Sequence, residues 1–137
     1  MTPAVPNSTG LPGRSLALGS PVAAANDLTL QASSLPPGSF GYFIASELPG
    51  IPSVAGGSTG RLCLGGFIGR FIGPNQVLPA DPGGVIALPI DLTGLPTALG
   101  TTSASPGDTW YFQLWHRDGV AGTVTSNFTD AVAVTFL

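Results

Sequence analysis

The chain has 137 residues, of which 43% are hydrophobic and only 8% charged, with a net charge of −3. That length suits one domain with a real core, and high hydrophobicity with little charge excludes a disordered tail. The four arginines are scattered and lysine is absent, so no basic face exists to neutralise phosphates, and no apolar stretch reaches the roughly 18 residues that span a bilayer; nucleic-acid binding and a membrane span are both excluded.

Residues 1–13 (MTPAVPNSTGLPG) hold three prolines and no periodicity. They read as a linker or irregular lead-in to a single domain over 14–137. No positive segment followed by an apolar run is present, and Met1 ahead of a proline-rich stretch suggests an excised domain, so the chain is expected to be a fragment. Apolar runs then recur at Ser15–Leu18, Leu28–Ala32, Phe40–Ser46, Arg61–Leu64, Phe67–Ile72, Val85–Leu92, Trp110–Arg117 and Ala131–Phe136, punctuated by Gly, Pro, Asn and Asp. This pattern predicts an all-β fold, a β-sandwich (immunoglobulin-like or jelly-roll-like) of about eight short, mainly antiparallel strands. Leu28, Leu30 and Ala32 alternate with Thr29 and Gln31, the period of a half-buried strand. Ala23–Asn26 is expected to form a single helical turn, and 47–60 and 93–109 to form long loops, a kind that often carries function.

The segment Trp110–Arg117 (WYFQLWHR) is the richest in chemistry. Side chains alternate across a strand, so Trp110, Phe112, Leu114 and His116 share one face while Tyr111, Gln113, Trp115 and Arg117 share the other. The first set is the better core. The second combines flat aromatics with an amide and a guanidinium, the chemistry of a sugar-stacking platform. The competing reading has Tyr111 and Trp115 covered by a neighbouring loop, with the Arg117 stem passing over them.

Other motifs point less far. Gly56-Gly57-Ser58-Thr59-Gly60 matches G-x-S-x-G, and an Asp followed by His116 would complete the hydrolase order. The elbow needs a strand before the Ser and a helix after it, whereas a Gly/Pro loop and the strand-like RLCLGG flank Ser58. An esterase-like hydrolase is therefore the lesser alternative. One His and one Cys make no zinc site, and Glu47 is the only Glu. Asp27, Asp81, Asp91, Asp108, Asp118 and Asp130 sit near strand ends, where aspartates either bind calcium or cap turns, with turn capping the commoner role. No cofactor and no metal ligand set is assigned. Cys63, between Leu62 and Leu64, is expected to be a buried thiol or to pair with a cysteine outside this chain.

The succession NSTG (7–10), ANDLTLQAS (25–33), GSFGYFIAS (38–46), GRLCLGGFIGRF (60–71), GDTWYFQLWHRD (107–118) and SNFTDAVAVTF (126–136) resembles an uncharacterised C-terminal domain appended to large secreted proteins of environmental bacteria. The resemblance implies a secreted module attached to a parent protein on its N-terminal side, and it carries no site residues. The expected function is a non-catalytic accessory module that binds a polysaccharide or a cell-surface partner, with Tyr111, Gln113, Trp115 and Arg117 as candidate ligand-binding residues. A passive structural or sorting domain is the alternative.

Overall fold

The computed structural model describes residues 4–54, 58–120 and 122–137. Alternating apolar positions give way to strands almost wherever the sequence repeats with period two. The first half of the chain forms β1 (Arg14–Gly19), β2 (Leu28–Ser33), β3 (Phe40–Ser46), β4 (Leu48–Val54), β5 (Arg61–Gly65) and β6 (Gly69–Arg70). The second half forms β7 (Leu78–Pro79), β8 (Ile86–Ile90), β9 (Leu95–Thr97), β10 (Gly100–Thr102), β11 (Thr109–Val120), β12 (Thr123–Phe128) and β13 (Val132–Thr135). A single 3₁₀ turn, Ala23–Ala25, is the one helical element among the described residues.

The fold is all-β, with thirteen strands in four sheets among the described residues, all paired antiparallel. One sheet has the order β1-β2-β8, and the large sheet has the order β12-β11-β3-β6, with β13 added to β11 and β7 to β3. The remaining strands make two hairpins, β4–β5 and β9–β10. No sheet closes into a barrel, and the strand count corrects the expected eight-stranded sandwich. The difference lies mainly in the two expected loops. Residues 48–54 and 95–102 pair as hairpin strands although they are rich in Pro, Gly, Ser and Thr and show no hydrophobic alternation. Conversely, only Gly69–Arg70 of the run Phe67–Ile72 is strand.

The core lies between the two larger sheets. Leu28, Leu30 and Ala32 of β2 stand beside Ile90, Leu88 and Ile86 of β8 in register, and all six side chains point the same way. Facing them are Phe43 and Ala45 of β3 and Trp110, Phe112 and Leu114 of β11, in one cluster with Phe71, Leu92, Leu95 and Phe136. Each buried Leu, Ile or Phe among them contributes about 1.5–3 kcal/mol by leaving water.

β12 and β13 share one edge of β11 in succession, β12 along Trp115–Val120 and β13 along Thr109–Phe112. The chain turns away between them, and Thr129 fills the break. Its hydroxyl accepts the Leu114 N–H at 3.0 Å, so that donor is not orphaned. The same hydroxyl meets Ser15 Oγ at 2.6 Å, and Asp130 accepts the Ser15 N–H at 2.7 Å, tying β1 to this corner.

The lead-in from residue 4 is docked against the domain. Asn7 is buried and donates to the Ser34 carbonyl at 2.7 Å, Asp118 accepts the Ser8 N–H at 3.0 Å, and Asn127 donates to the Val5 carbonyl at 3.1 Å.

Trp110 is 2% exposed in the core, while Trp115, five residues along the same strand, is half-buried on the opposite face. Trp110→Ala is expected to destabilise the domain by about 3–5 kcal/mol through the cavity it leaves, and Trp115→Ala by much less. Denaturant melts of the two variants read this directly; equal losses would mean that both faces are buried.

Candidate ligand-binding site

The outer face of the large sheet is built by the same alternation that builds the core. It carries Tyr111, Gln113, Trp115 and Arg117 from β11, and Tyr42, Ile44 and Ser46 from β3. Register places Trp115 opposite Tyr42 on one side and opposite Phe128 of β12 on the other, and Ile44 opposite Arg70 of β6. Part of this face is covered. Cys63 and Leu64 of β5 form a second apolar cluster with Ile44, Phe128 and Ala131, against which Tyr42, Tyr111 and Trp115 pack.

Gln113 lies under that cover, fully buried. Its Oε1 accepts the Cys63 N–H at 2.9 Å, and its Nε2 donates to the carbonyls of Arg61 at 2.8 Å and Thr129 at 2.7 Å. The Arg61 carbonyl and Cys63 N–H project from the edge of β5 away from β4, so the carboxamide takes the part of a partner strand's peptide. Gln113 therefore leaves the ligand-facing set: its polar atoms are committed to backbone. Tyr111 packs in the outer cluster and is not in the wall of the cleft beside Trp115.

Trp115 and Arg117 are brought together, with two residues that the sequence reading missed. The Tyr42 and Trp115 ring centroids are 5.1 Å apart with planes inclined at 32°, and Arg117 Cζ lies 5.0 Å from the Trp115 ring centroid, within cation–π range. Beside them opens a cleft of about 320 Å³ whose walls include Tyr42, Trp115, Phe128, Leu62 and Arg70. Arg70 is the one charged residue in that lining. The period of GSFGYFIAS marks β3 as a strand, but apolar residues occupy both its faces. Only the register against β11 brings Tyr42 to Trp115, and register is not readable from one sequence.

A second cleft, about 280 Å³, lies between the tip of the β9–β10 hairpin and the β5–β6 connection. Glycine at position 69 lets β6 abut the Pro96 carbonyl of β9, a place where a Cβ has no room. Phe67 (87% exposed) and Leu99 (100%) stand at the mouth, and Trp110, whose buried indole N–H has no partner, forms part of the wall. This cleft has Glu47 and no guanidinium in its lining.

The hydrolase constellation is not assembled. Gly56 and Gly57 fall outside the described residues. Ser58 is buried, donates to the Ser126 carbonyl at 2.9 Å and accepts the Gly60 N–H at 3.1 Å. His116 is buried on the inner face with Nδ1 2.8 Å from the Arg117 carbonyl. A carbonyl only accepts, so Nδ1 carries the proton of the neutral ring, while Nε2 has no partner. Three of the six aspartates cap turns: Asp81 accepts the Val85 N–H, Asp91 the Thr93 N–H and Asp108 the Ser105 N–H. Among the described residues no three of His, Cys, Asp and Glu come together as a metal site. Cys63 is buried and free, and burial pushes its thiol pKa up.

Comparison with protein-family models, curated proteins and solved structures finds no match to this chain. No helix among the described residues is long and apolar enough to cross a membrane.

Burial holds the His116 pKa below its ordinary 6.5, against the opposing pull of the Arg117 carbonyl and the Asp118 charge. The folded state then binds fewer protons than the unfolded chain in the window below pH 6.5. Stability is full above that value and falls as pH drops through it toward the lower folded pKa. The denaturant midpoint should decline over this window in the wild type, and His116→Gln should flatten the decline. An equal slope in both proteins would contradict the assignment.

Proposed function

We propose that this domain is a non-catalytic accessory module of a secreted or cell-surface protein, and that it binds carbohydrate through the outer-face cleft. The observation that carries the reading is the Tyr42–Trp115–Arg117 stack beside a 320 Å³ concavity. A sugar ring buries its C–H face against an aromatic plane, while its hydroxyls take hydrogen bonds from polar groups at the rim. Guanidinium N–H groups supply donors that need little further ordering when already held on a ring. Secretion is supported by the near absence of charge and by surface polarity drawn from Ser, Thr, Asn and Gln. The two sheets that share the core support viewing the architecture as a sandwich elaborated by two hairpins.

A second reading, a passive structural or sorting module, is favoured by how much polar chemistry is turned inward. Gln113, Asn127, Thr129 and His116 are fully buried, and most of their hydrogen bonds go to the chain's own backbone.

Affinity electrophoresis through gels containing neutral and acidic polysaccharides separates the two. At least one polymer should retard the wild-type domain, and Trp115→Ala should migrate as in an empty gel while keeping its unfolding free energy within about 1–2 kcal/mol of wild type. No retardation on any polymer, or full retardation of Trp115→Ala, would contradict the binding reading.

A further inference from the structure

The charge around the cleft specifies the sugar. The chain as a whole is acidic, with a net charge of −3, yet two of its four arginines flank this one site, Arg70 in its lining and Arg117 over Trp115. Arg70 is exposed on β6 and is the only charge in the cleft lining. Arg117 is exposed at the other end of the aromatic pair, held over Trp115. Asp118, its neighbour in sequence, points to the inner face and is buried there, with Oδ1 accepting the Ser8 and Gly119 N–H groups. No carboxylate lines the cleft.

We infer that the site selects an acidic polysaccharide, one whose repeating sugar carries a carboxylate, such as a polyuronate. This inference rests on the carbohydrate reading of the same cleft. A guanidinium meets a carboxylate through two parallel N–H···O bonds, roughly twice as strong as bonds between neutral groups. Apolar walls from Ile44, Leu62 and Ile68 flank Arg70 in the cleft. The repulsion of an acidic chain does not cancel this. Its other charges lie mostly on the far sheet and on loops, and exposed charges beyond about 8 Å are screened at physiological salt.

Register also sets the length recognised. Arg70 aligns with Ile44, Ile44 with Gln113, and Arg117 lies four residues further along β11. Two strand spacings and four residues separate the two Cα positions by about 17 Å. An oligomer with its acidic groups at both ends of the aromatic pair spans that distance.

The test compares polygalacturonate with its methyl-esterified form, a neutral galactan and dextran sulfate, by affinity electrophoresis at about 0.15 M salt. Polygalacturonate should retard the domain at least about tenfold more strongly than the ester, the loss expected for one charge-assisted bond pair. Arg70→Gln and Arg117→Gln should each weaken polygalacturonate binding several-fold, Trp115→Ala should abolish it, and Arg14→Gln, on the other sheet, should leave it unchanged. Equal retardation by polygalacturonate and its ester would overturn the acidic selectivity while leaving carbohydrate binding intact. Dextran sulfate binding as strongly as polygalacturonate, a loss in Arg14→Gln equal to that in Arg70→Gln, or polygalacturonate binding that survives Trp115→Ala would mark non-specific polyanion attraction and also overturn it. Failure of every polymer, the galactan included, removes the binding function itself.

Discussion

The carboxamide of Gln113 is the group on which the outer half of this structure depends. Among the described residues β5 is paired to β4 alone, so its second edge would face the large sheet with an unpaired carbonyl and N–H. Gln113 satisfies both, at Arg61 and Cys63, and uses its remaining proton on the Thr129 carbonyl. A made hydrogen bond contributes about 1 kcal/mol net, whereas each buried group left without a partner costs about 1–3 kcal/mol. The side chain thus does by hydrogen bonding what strand pairing does elsewhere, and it fixes where the β4–β5 hairpin sits.

That position produces the cleft. The hairpin covers the face around Gln113 and brings Leu62 up as a wall, but it stops short of the far end of β11. Trp115 and Arg117 lie beyond it, half-buried and exposed respectively. One strand therefore supplies the core through Trp110, Phe112 and Leu114, the anchor for a hairpin through Gln113, and the stacking platform through Trp115 and Arg117. Thr129 secures the same strand from its edge. Without its hydroxyl the Leu114 N–H would be buried unpaired where the chain passes from β12 to β13.

Much of this was legible in the sequence, and the failures have physical causes. Strands with alternating apolar residues, such as Leu28–Ser33 and Phe40–Ser46, announced themselves because burial on one face imposes period two. β4, β9 and β10 did not, because a hairpin strand is held by backbone pairing and needs little apolar patterning: of β9 only Leu95 is fully buried. The split of WYFQLWHR into a core face and an outer face was readable, since alternation is a property of the strand alone. The burial of Gln113 was not, because it depends on a hairpin whose docking no local pattern encodes. Tyr42 and Arg70 joined the site only through register across β3, β6 and β11. The distinctive SNFTD stretch proved to be largely structural: Asn127, Thr129 and Asp130 each bond to distant backbone.

The central claim is that Gln113 holds β5 to the large sheet and thereby builds the cleft wall. Amide hydrogen exchange on Gln113→Leu, which keeps the bulk and removes the polar atoms, tests it most directly. Exchange of the Cys63 N–H should accelerate strongly and protection should fall across Arg61–Gly65, while the amides of β2 and β8 stay as protected as in the wild type. Unchanged protection at Cys63 would mean that the hairpin is held by its apolar contacts alone, and would contradict the account.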